Sequence, residues 1–331
     1  MSWPDLKRKL IVSFIFGLVV LAVLAFLADL PQTLAALDSF QWGYLPLVLG
    51  LSLFNYSLRF IKWQWYLRLI GVDIPWGRSQ SIFASSMSMV MTPAKLGEFV
   101  KSYMLRVTDG VPMARSAPII LAERMTDGMA MIFLSVAGLS FYQAAWPLLA
   151  VLLAGMVGGV LVVQSRALSL RLITLGERLP VLSRFSHSLH DLYTSSYQLF
   201  RWRNLLLAIL IGIVSWSGEC VAMYLVLIGL GVPGSLTLLL QITFIFCFST
   251  LIGAVSALPG GLGASEASLG GLLVLLVGLP KDLSVLATLL IRLCTLWFGV
   301  TLGLVALFVF RKRFFGGAEL MPLNGALKAQ P

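Results

Sequence analysis

Two hydrophobic stretches of this chain are each broken by a proline, by glycine and by a glutamate. The first contains Pro93, Gly97 and Glu98, and the second contains Pro259 and Glu266. Proline removes a backbone hydrogen-bond donor and glycine weakens a helix, so a helix ends or bends at such a point. Lipid tolerates the freed backbone groups only where they are buried in protein or line a wet cavity. Two such breaks in corresponding positions therefore predict a binding site, as in transporters built from internal repeats.

The composition indicates a membrane protein. Hydrophobic residues make up 59% of the 331 residues, charged residues make up 11%, and the mean hydropathy is +0.93. Several apolar runs reach the roughly 20 residues that a helix needs to cross a bilayer. The formal net charge of +10 comes from basic residues in the short segments between those runs, where they set topology. We therefore do not expect nucleic acid as a partner.

The apolar runs predict an all-α polytopic membrane protein with six full spans and two re-entrant pairs of broken helices. Connecting segments that are rich in Lys and Arg alternate with segments that contain few of them, and this bias predicts that both termini are cytoplasmic. We predict that the protein lies in the inner (plasma) membrane of a bacterial cell. The spans are predicted at about 10–28, 44–65, 115–142, 146–164, 204–230 and 283–310, and the broken pairs at about 79–106 and 236–279.

In this topology the two broken segments enter the membrane from opposite faces, as an inverted repeat would produce. We predict a single integral membrane domain over residues 1–331, with repeat halves at about 10–164 and 204–310. The joining segment 165–203 carries six arginines against one glutamate and one aspartate. Leucines recur in it at helical spacing, which predicts a basic amphipathic helix on the cytoplasmic leaflet.

Charged side chains inside the predicted membrane segments are the candidate functional residues, because charge in lipid is costly and usually faces a bundle interior or a wet cavity. Glu98 and Glu266 follow the two breaks, where each could cap the free N–H groups of a half-helix or act as a ligand or proton carrier. Lys95 and Lys101 flank the first break. They could bind an anionic headgroup or extend to the membrane interface.

Another charged cluster consists of Glu123, Arg124 and Asp127 in the predicted third span. Positions separated by three and four residues share one helical face, so Arg124 is expected to pair with Asp127. Such a cluster could hold the bundle together as an internal salt-bridge network. Its closeness in sequence to the first break favours a part in the site.

Three further charges and four glycines complete the predicted site. Glu219 and Arg292 could pair with each other or face a polar pathway. Arg59 could hold a phosphate bidentately or extend to the interface. The glycines would let the backbone approach a ligand or hinge, and they are Gly97, Gly260, Gly261 and Gly263.

The sequence contains few residue patterns that indicate enzymatic chemistry. His187 and His190 have no accompanying carboxylate or cysteine set that would complete a metal site. The chain has no G-x-S-x-G, P-loop or H-E-x-x-H pattern. We therefore expect no catalytic residue, no metal and no other cofactor.

The order of the motifs resembles the membrane domain of lysylphosphatidylglycerol synthases and of their stand-alone, flippase-like relatives. The similarity covers roughly residues 10–310 and is carried in order by Pro93 with Gly97 and Glu98, by Glu123, Arg124 and Asp127, and by Pro259, Gly260, Gly261, Leu262 and Gly263 with Glu266. The resemblance implies that the chain moves lipid between leaflets. It implies three classes of lipid partner, which are anionic phospholipids, polyprenyl-phosphate-linked lipids and hopanoid-type lipids.

In the synthases a separate soluble domain makes the aminoacylated lipid. This chain ends about twenty residues after its last predicted span, so we expect no aminoacyltransferase activity. Our hypothesis places a lipid headgroup in a polar cavity between the two breaks. Lys95, Arg124 and Arg292 would neutralise it, while Glu98, Asp127 and Glu266 would order the site or couple movement to protons.

Two alternatives stay open at this point. The chain could be a non-catalytic membrane partner of a lipid- or glycan-modifying enzyme, with segment 165–203 as the contact surface. It could also be an intramembrane transferase that uses Glu98 or Asp127 as a base. A homo-oligomer is compatible with each of these functions.

Overall fold

A computed structural model gives the architecture of the chain. It describes residues 40–92, 97–166 and 186–315, together with the isolated positions 19, 37, 38, 168, 169 and 171. Pro93, Lys95, residues 172–185 of the joining segment and nearly all of the predicted first span lie outside the described residues.

Every regular element in the described part of the chain is a helix, which confirms the predicted all-α class. Six helical stretches there are long and apolar enough to cross a membrane. They are Trp42–Leu69, Gln143–Gln164, Trp202–Gly229, Leu236–Val255, Pro259–Val277 and Lys281–Phe314. The chain is therefore a polytopic helical membrane protein, as its composition predicted.

We number the described helices in chain order. The first five are α1 (Leu45–Leu69), α2 (Trp76–Met87), α3 (Val100–Asp109), α4 (Met113–Val136) and α5 (Trp146–Gln164). The others are α6 (Ser186–Leu199), α7 (Trp202–Gly229), α8 (Leu236–Val255), α9 (Ala264–Leu272), α10 (Lys281–Arg292) and α11 (Phe298–Phe315). Wider π-helical turns extend α9 over Leu273–Val277 and join α10 to α11 over Leu293–Trp297.

Four of the six apolar stretches coincide with predicted spans. The other two, Leu236–Val255 and Pro259–Val277, are the limbs of the second broken segment, and each has the length of a full span. At a rise of about 1.5 Å per residue, α8 is about 30 Å long, which matches the hydrocarbon thickness of a bilayer. The re-entrant course of this segment stays a prediction.

Helix α4 occupies most of the predicted span at 115–142. It has 24 residues, so its length of about 36 Å suffices to cross a bilayer. It carries Glu123, Arg124 and Asp127 in its middle, and it is for this reason absent from the apolar set above. A helix of this composition has to bury its charged face against other helices.

Both predicted breaks interrupt helices. In the first segment α2 ends at Met87, turns follow, and α3 begins at Val100. In the second segment α8 ends at Val255, a short 3₁₀ turn occupies Pro259–Gly261, and α9 begins at Ala264. The helices are therefore interrupted in the two predicted segments, although α2 and α8 each end several residues before the proline.

Helix α7 lies at the centre of the described bundle and packs against α1, α4 and α8. Helix α8 also packs against α4 and α9, and α11 packs against α2. One large apolar core surrounds α7 and α8, and another lies among α1, α2, α3 and α4. The contacts of α7 with α1 and α4 bring the two predicted halves together around the broken segments.

Helices α1 and α7 end in the same way. Gly71 and Gly231 follow them in the left-handed conformation, with φ of 70° and 83°. In each turn the N–H of the following valine bonds to the carbonyl of a leucine five residues earlier, at 2.9 Å for Val72 and 3.0 Å for Val232. This hydrogen bond defines a Schellman ending. The two helices share this kind of ending, and the predicted repeat with its inverted arrangement stays a prediction.

Candidate functional site

A polar cavity lies between the two breaks. Its walls include Glu98 and Lys101, which follow the first break, and Gly260 and Ser265, which belong to the second. The cavity measures about 920 Å³ with its open mouth included. Both predicted halves of the chain therefore contribute to one space.

The structure brings many of the predicted site residues to this cavity and leaves others behind its walls. Six of them line it, namely Arg59, Glu98, Arg124, Glu219, Gly260 and Arg292. Among the remaining described ones, Asp127 lines a neighbouring cavity. The others, which are Gly97, Glu123, Pro259, Gly261, Gly263 and Glu266, lie outside the lining.

Arg124 pairs with Glu98 across the first break. Its Nη2 atom lies 2.8 Å from Glu98 Oε2. The prediction that Arg124 pairs with Asp127, on the same face of α4, is wrong, because the ion-pair partners of Asp127 come from α1. The pair thus joins the start of the second limb of the broken segment to the middle of α4.

Arg292 pairs with Glu266 at the second break. The Arg292 Nε atom donates to Glu266 Oε1 at 2.5 Å, and Nη2 donates to the carbonyl of Gly260 at 3.2 Å. The other carboxylate oxygen of Glu266 accepts a hydrogen bond from the N–H of Gly263 at 2.6 Å. Glu266 therefore caps the start of α9, one of its two predicted roles, and also binds the arginine.

The two ion pairs at the breaks have the same spacing in the chain. Twenty-six residues separate Glu98 from Arg124, and twenty-six separate Glu266 from Arg292. In both halves the glutamate starts the second limb of a broken segment and the arginine lies on a later helix. This repeated Glu-to-Arg spacing was visible in the sequence and could have identified both partners.

A third charged cluster joins α1 to α4. Asp127 forms a short ion pair with Lys62, and Arg59 Nε lies 3.8 Å from the other oxygen of Asp127. Lys62 Nζ also lies 3.4 Å from Thr126 Oγ1. Lys62 is completely buried and does not line the polar cavity, whereas Arg59 does. Lys62 was not among the predicted site residues, although its position three residues after Arg59 places both cations on one helical face.

Lys101 is held inside the protein. Its Nζ atom lies 2.5 Å from Glu123 Oε2 and 4.9 Å from the centre of the Trp63 ring, with the Phe83 ring at 5.4 Å. Extension of Lys101 to the membrane interface was one of two predicted alternatives, and it is wrong because the side chain is buried. Lys101 instead adds a cation to the cavity wall.

The arginines of these pairs face the cavity more than their partners do. The exposed fraction of the side chain is 26% for Arg124 against 3% for Glu98, and 11% for Arg292 against 0% for Glu266. For Arg59 and Asp127 it is 20% against 3%. Each carboxylate thus lies deeper than the arginine it pairs with, and the arginine side chains line the space. Such groups bind phosphate and carboxylate oxygens well.

A second cavity adjoins the first. It measures about 970 Å³ with its open mouth included, and its lining includes Met125, Met131, Met156, Leu152 and Leu251. Four residues line both cavities, and they are Arg124, Trp216, Gly253 and Ala254. No sequence motif pointed to Trp216, because its position between the cavities depends on how α7 packs against α4 and α8.

Glycine is required by the backbone at both breaks. Gly260, Gly261 and Gly263 have φ values of 62°, 69° and 85°, which favour glycine. A Cβ on Gly261 would also lie 3.0 Å from the Cα of Gly253 on α8. Gly97 donates its N–H to Thr92 Oγ1 at 2.6 Å, and a Cβ there would lie 2.8 Å from the carbonyl oxygen of Met89. Gly260, Gly261 and Gly263 are thus favoured by their backbone conformation, while Gly97 and Gly261 also allow a close approach to neighbouring atoms.

Comparison with known proteins places this arrangement among membrane proteins. The family described as the lysylphosphatidylglycerol synthase TM region matches residues 14–303. Two proteins of Methanothermobacter thermautotrophicus, each named UPF0104 membrane protein, are both 24% identical to this chain. The alignments cover 88% and 91% of the chain and 91% and 96% of those proteins. A UPF0104 membrane protein of Pyrococcus horikoshii is 32% identical over 103 residues, which is 31% of the chain and 30% of that protein.

Proposed function

We propose that this chain, which belongs to the lysylphosphatidylglycerol synthase TM region family, moves an anionic lipid between the two leaflets of its membrane. The headgroup passes through the polar cavity between the breaks. The membrane is the plasma membrane of a bacterium, and both termini are cytoplasmic, since Lys and Arg favour the cytoplasmic connecting segments.

The observation that carries this proposal is the orientation of the three arginine pairs. Arg59, Arg124 and Arg292 are each more exposed than the carboxylate they pair with. A carboxylate behind each guanidinium keeps the empty site near neutrality, so that the buried charges are tolerated inside a membrane. The guanidinium faces that remain would bind a phosphate by charge-assisted hydrogen bonds.

Arg124 has the most exposed side chain of the three arginines. Its Nε and Nη2 atoms are buried and make no hydrogen bond within the described part of the chain, although Nη2 lies 2.8 Å from Glu98 Oε2. The ion pair therefore holds the guanidinium in place by charge. A phosphate that drew the guanidinium towards the cavity would satisfy these donors.

Reconstitution tests this function. The purified protein is placed in liposomes that contain a fluorescent phosphatidylglycerol, and a membrane-impermeant quencher reports how fast the inner-leaflet label reaches the outer leaflet. We expect fast exchange with the native chain. Replacing the pair by Glu98→Gln with Arg124→Gln should slow it about tenfold or more, which corresponds to the loss of one charge-assisted contact.

The matched control is Arg203→Gln, which removes an exposed arginine at the start of α7. It should leave the exchange rate unchanged. A neutral paired variant is used because it leaves no unpaired charge buried and so keeps the fold. Unchanged transport in a folded Glu98→Gln and Arg124→Gln variant would show that the polar cavity is not the path of the headgroup.

A further inference from the structure

The neighbouring apolar cavity has no role in headgroup binding, yet it joins the polar cavity directly. Arg124, Trp216, Gly253 and Ala254 line both spaces. Beyond this junction the lining is mainly apolar, apart from Asp127. A phosphate at Arg124 would therefore lie at the entrance of a mainly apolar space.

The apolar cavity has the chemistry of a chain-binding site. Met125, Met131 and Met156 contribute unbranched, polarizable side chains, which adapt to ligands of varied shape. Val255 and Leu258 line it as well, and both are largely exposed on the surface of the described bundle. An apolar chain could therefore extend from the junction towards the surrounding lipid without crossing a polar wall.

Trp216 lines both cavities and carries one polar atom, Nε1. Its side chain is 93% buried, since its exposed fraction is 7%, and its Nε1–H has no hydrogen-bond acceptor within the described residues. A buried donor without an acceptor is unfavourable, and a ligand that supplies the acceptor removes that cost. The Trp216 side chain lines both the space for the phosphate and the space for the chain.

We propose that the apolar cavity binds one acyl chain of the lipid whose phosphate binds in the polar cavity, and that Trp216 Nε1–H donates to the carbonyl at the head of that chain. This inference rests on the proposed function and specifies its substrate class. The substrate is a phospholipid with ester- or amide-linked chains. A polyprenyl phosphate lacks this carbonyl and would leave Trp216 without an acceptor.

Binding of an acyl chain in the apolar cavity is tested by introducing larger side chains that fill the cavity. Native mass spectrometry of the full chain measures competition between long-chain and short-chain phosphatidylglycerol. We expect Met156→Trp to reduce the preference for the long chain about tenfold, the effect of about two buried methylene groups. The control is Val151→Trp, because Val151 lies exposed on the same helix. Met131→Phe is a milder filling variant with the same expected direction.

The hydrogen bond is tested with ester-linked and ether-linked phosphatidylglycerol of equal chain length. The native chain should prefer the ester about three- to tenfold, and Trp216→Phe should abolish this preference while it keeps an aromatic ring in place. Trp146→Phe, at an exposed tryptophan, should retain the preference. A native chain without preference, or an undiminished preference in Trp216→Phe, overturns the role of Trp216.

Failure of this inference differs from failure of the proposed function. If both filling variants keep the native chain-length preference, while Glu98→Gln with Arg124→Gln loses phosphatidylglycerol of both lengths, the chain binds elsewhere and the headgroup site stands. If the paired variant binds both lipids as the native chain does, the headgroup site itself is refuted.

Discussion

Asn55 and Ser215 hydrogen-bond reciprocally across the contact between α1 and α7. The amide of Asn55 donates to the carbonyl of Ser215 at 3.0 Å, and the hydroxyl of Ser215 donates to the carbonyl of Asn55 at 3.3 Å. The two residues are 160 positions apart, the same offset as between the glycines that end the two helices. Such reciprocity is what a two-fold relation between equivalent helices produces.

These two bonds should contribute to stability independently. Each bond joins one side chain to a backbone carbonyl of the other helix, so removing one leaves the other intact. We predict that Asn55→Ala and Ser215→Ala each lower the free energy of unfolding by about 1 kcal/mol, and that the double variant shows the sum. Chemical unfolding in detergent micelles measures this.

Ser57→Ala serves as the control for the α1–α7 contact. The Ser57 hydroxyl donates to the Leu53 carbonyl of its own helix, so its loss should change stability little. Strong coupling between Asn55→Ala and Ser215→Ala would mean that the two helices shift relative to each other when either bond is lost.

Removal of Arg292 should strongly destabilise the protein. Arg292→Met leaves the carboxylate of Glu266, which is fully buried, without its cation, and such a change costs about 3–5 kcal/mol. Adding Glu266→Gln should restore most of the loss, because the glutamine carbonyl can still accept the N–H of Gly263. The midpoint of thermal unfolding reports both effects.

The control for this prediction is Arg313→Met, which changes an exposed arginine at the end of α11. Its unfolding midpoint should stay near that of the native chain. If Glu266→Gln fails to rescue Arg292→Met, the arginine acts through its bond to the Gly260 carbonyl rather than through charge.

Substitution of Arg59 should mainly affect lipid binding, whereas substitution of Lys62 should mainly affect stability. Both cations contact Asp127, but Lys62 is completely buried and only Arg59 lines the polar cavity. We predict that Lys62→Met lowers the free energy of unfolding by about 3 kcal/mol, whereas Arg59→Met, at a part-exposed site, lowers it by about 1 kcal/mol.

Lipid binding should show the opposite order. Arg59→Met should weaken phosphatidylglycerol binding about tenfold, while folded Lys62→Met should bind it normally. Thermal unfolding and lipid binding are measured on the same preparations. Equal loss of lipid binding in the two variants would contradict the separate roles.

The glycines of the second break should differ in their tolerance of a side chain. Gly261→Ala combines a φ of 69° with a Cβ 3.0 Å from the Cα of Gly253, and should cost about 2–4 kcal/mol. Gly263→Ala has a φ of 85° but open space around the new Cβ, so only the backbone strain of about 1–2 kcal/mol remains.

Gly271→Ala provides the comparison within a helix. Gly271 lies in α9 with open space around its Cβ position and without a positive φ. Alanine there should stabilise the protein by up to about 1 kcal/mol. All three variants are compared by the midpoint of thermal unfolding. A Gly261→Ala variant as stable as Gly263→Ala would show that α8 moves away from the break at no cost.

The positions of the breaks and spans were predictable because they depend on local sequence. Helix α8 ends at Val255, four residues before Pro259, and α9 begins directly after Gly263. The capping role of Glu266 is local as well, since the carboxylate reaches the N–H of Gly263 three residues earlier. By contrast, the length of α8 alone does not decide whether the segment crosses the membrane or re-enters it.

The partners of the charged residues were harder to predict. Helical spacing placed Arg124 beside Asp127, but α1 supplies two cations to Asp127 and Arg124 binds Glu98 instead. The ion pair of Arg292 with Glu266 was likewise missed. Helical spacing identifies neighbours within one helix, whereas a buried charge pairs with the best partner that any packed helix provides.

By itself, the sequence determined that this chain is a helical membrane protein, where its helices end, and which intramembrane charges need an explanation. These properties arise from composition and from interactions within a few residues. Only the tertiary structure decided that arginines of both halves face one cavity, that Lys62 stays behind its wall, and that Trp216 lies where this cavity meets an apolar one. Those relations join residues far apart in the chain, and they are set by how the helices pack.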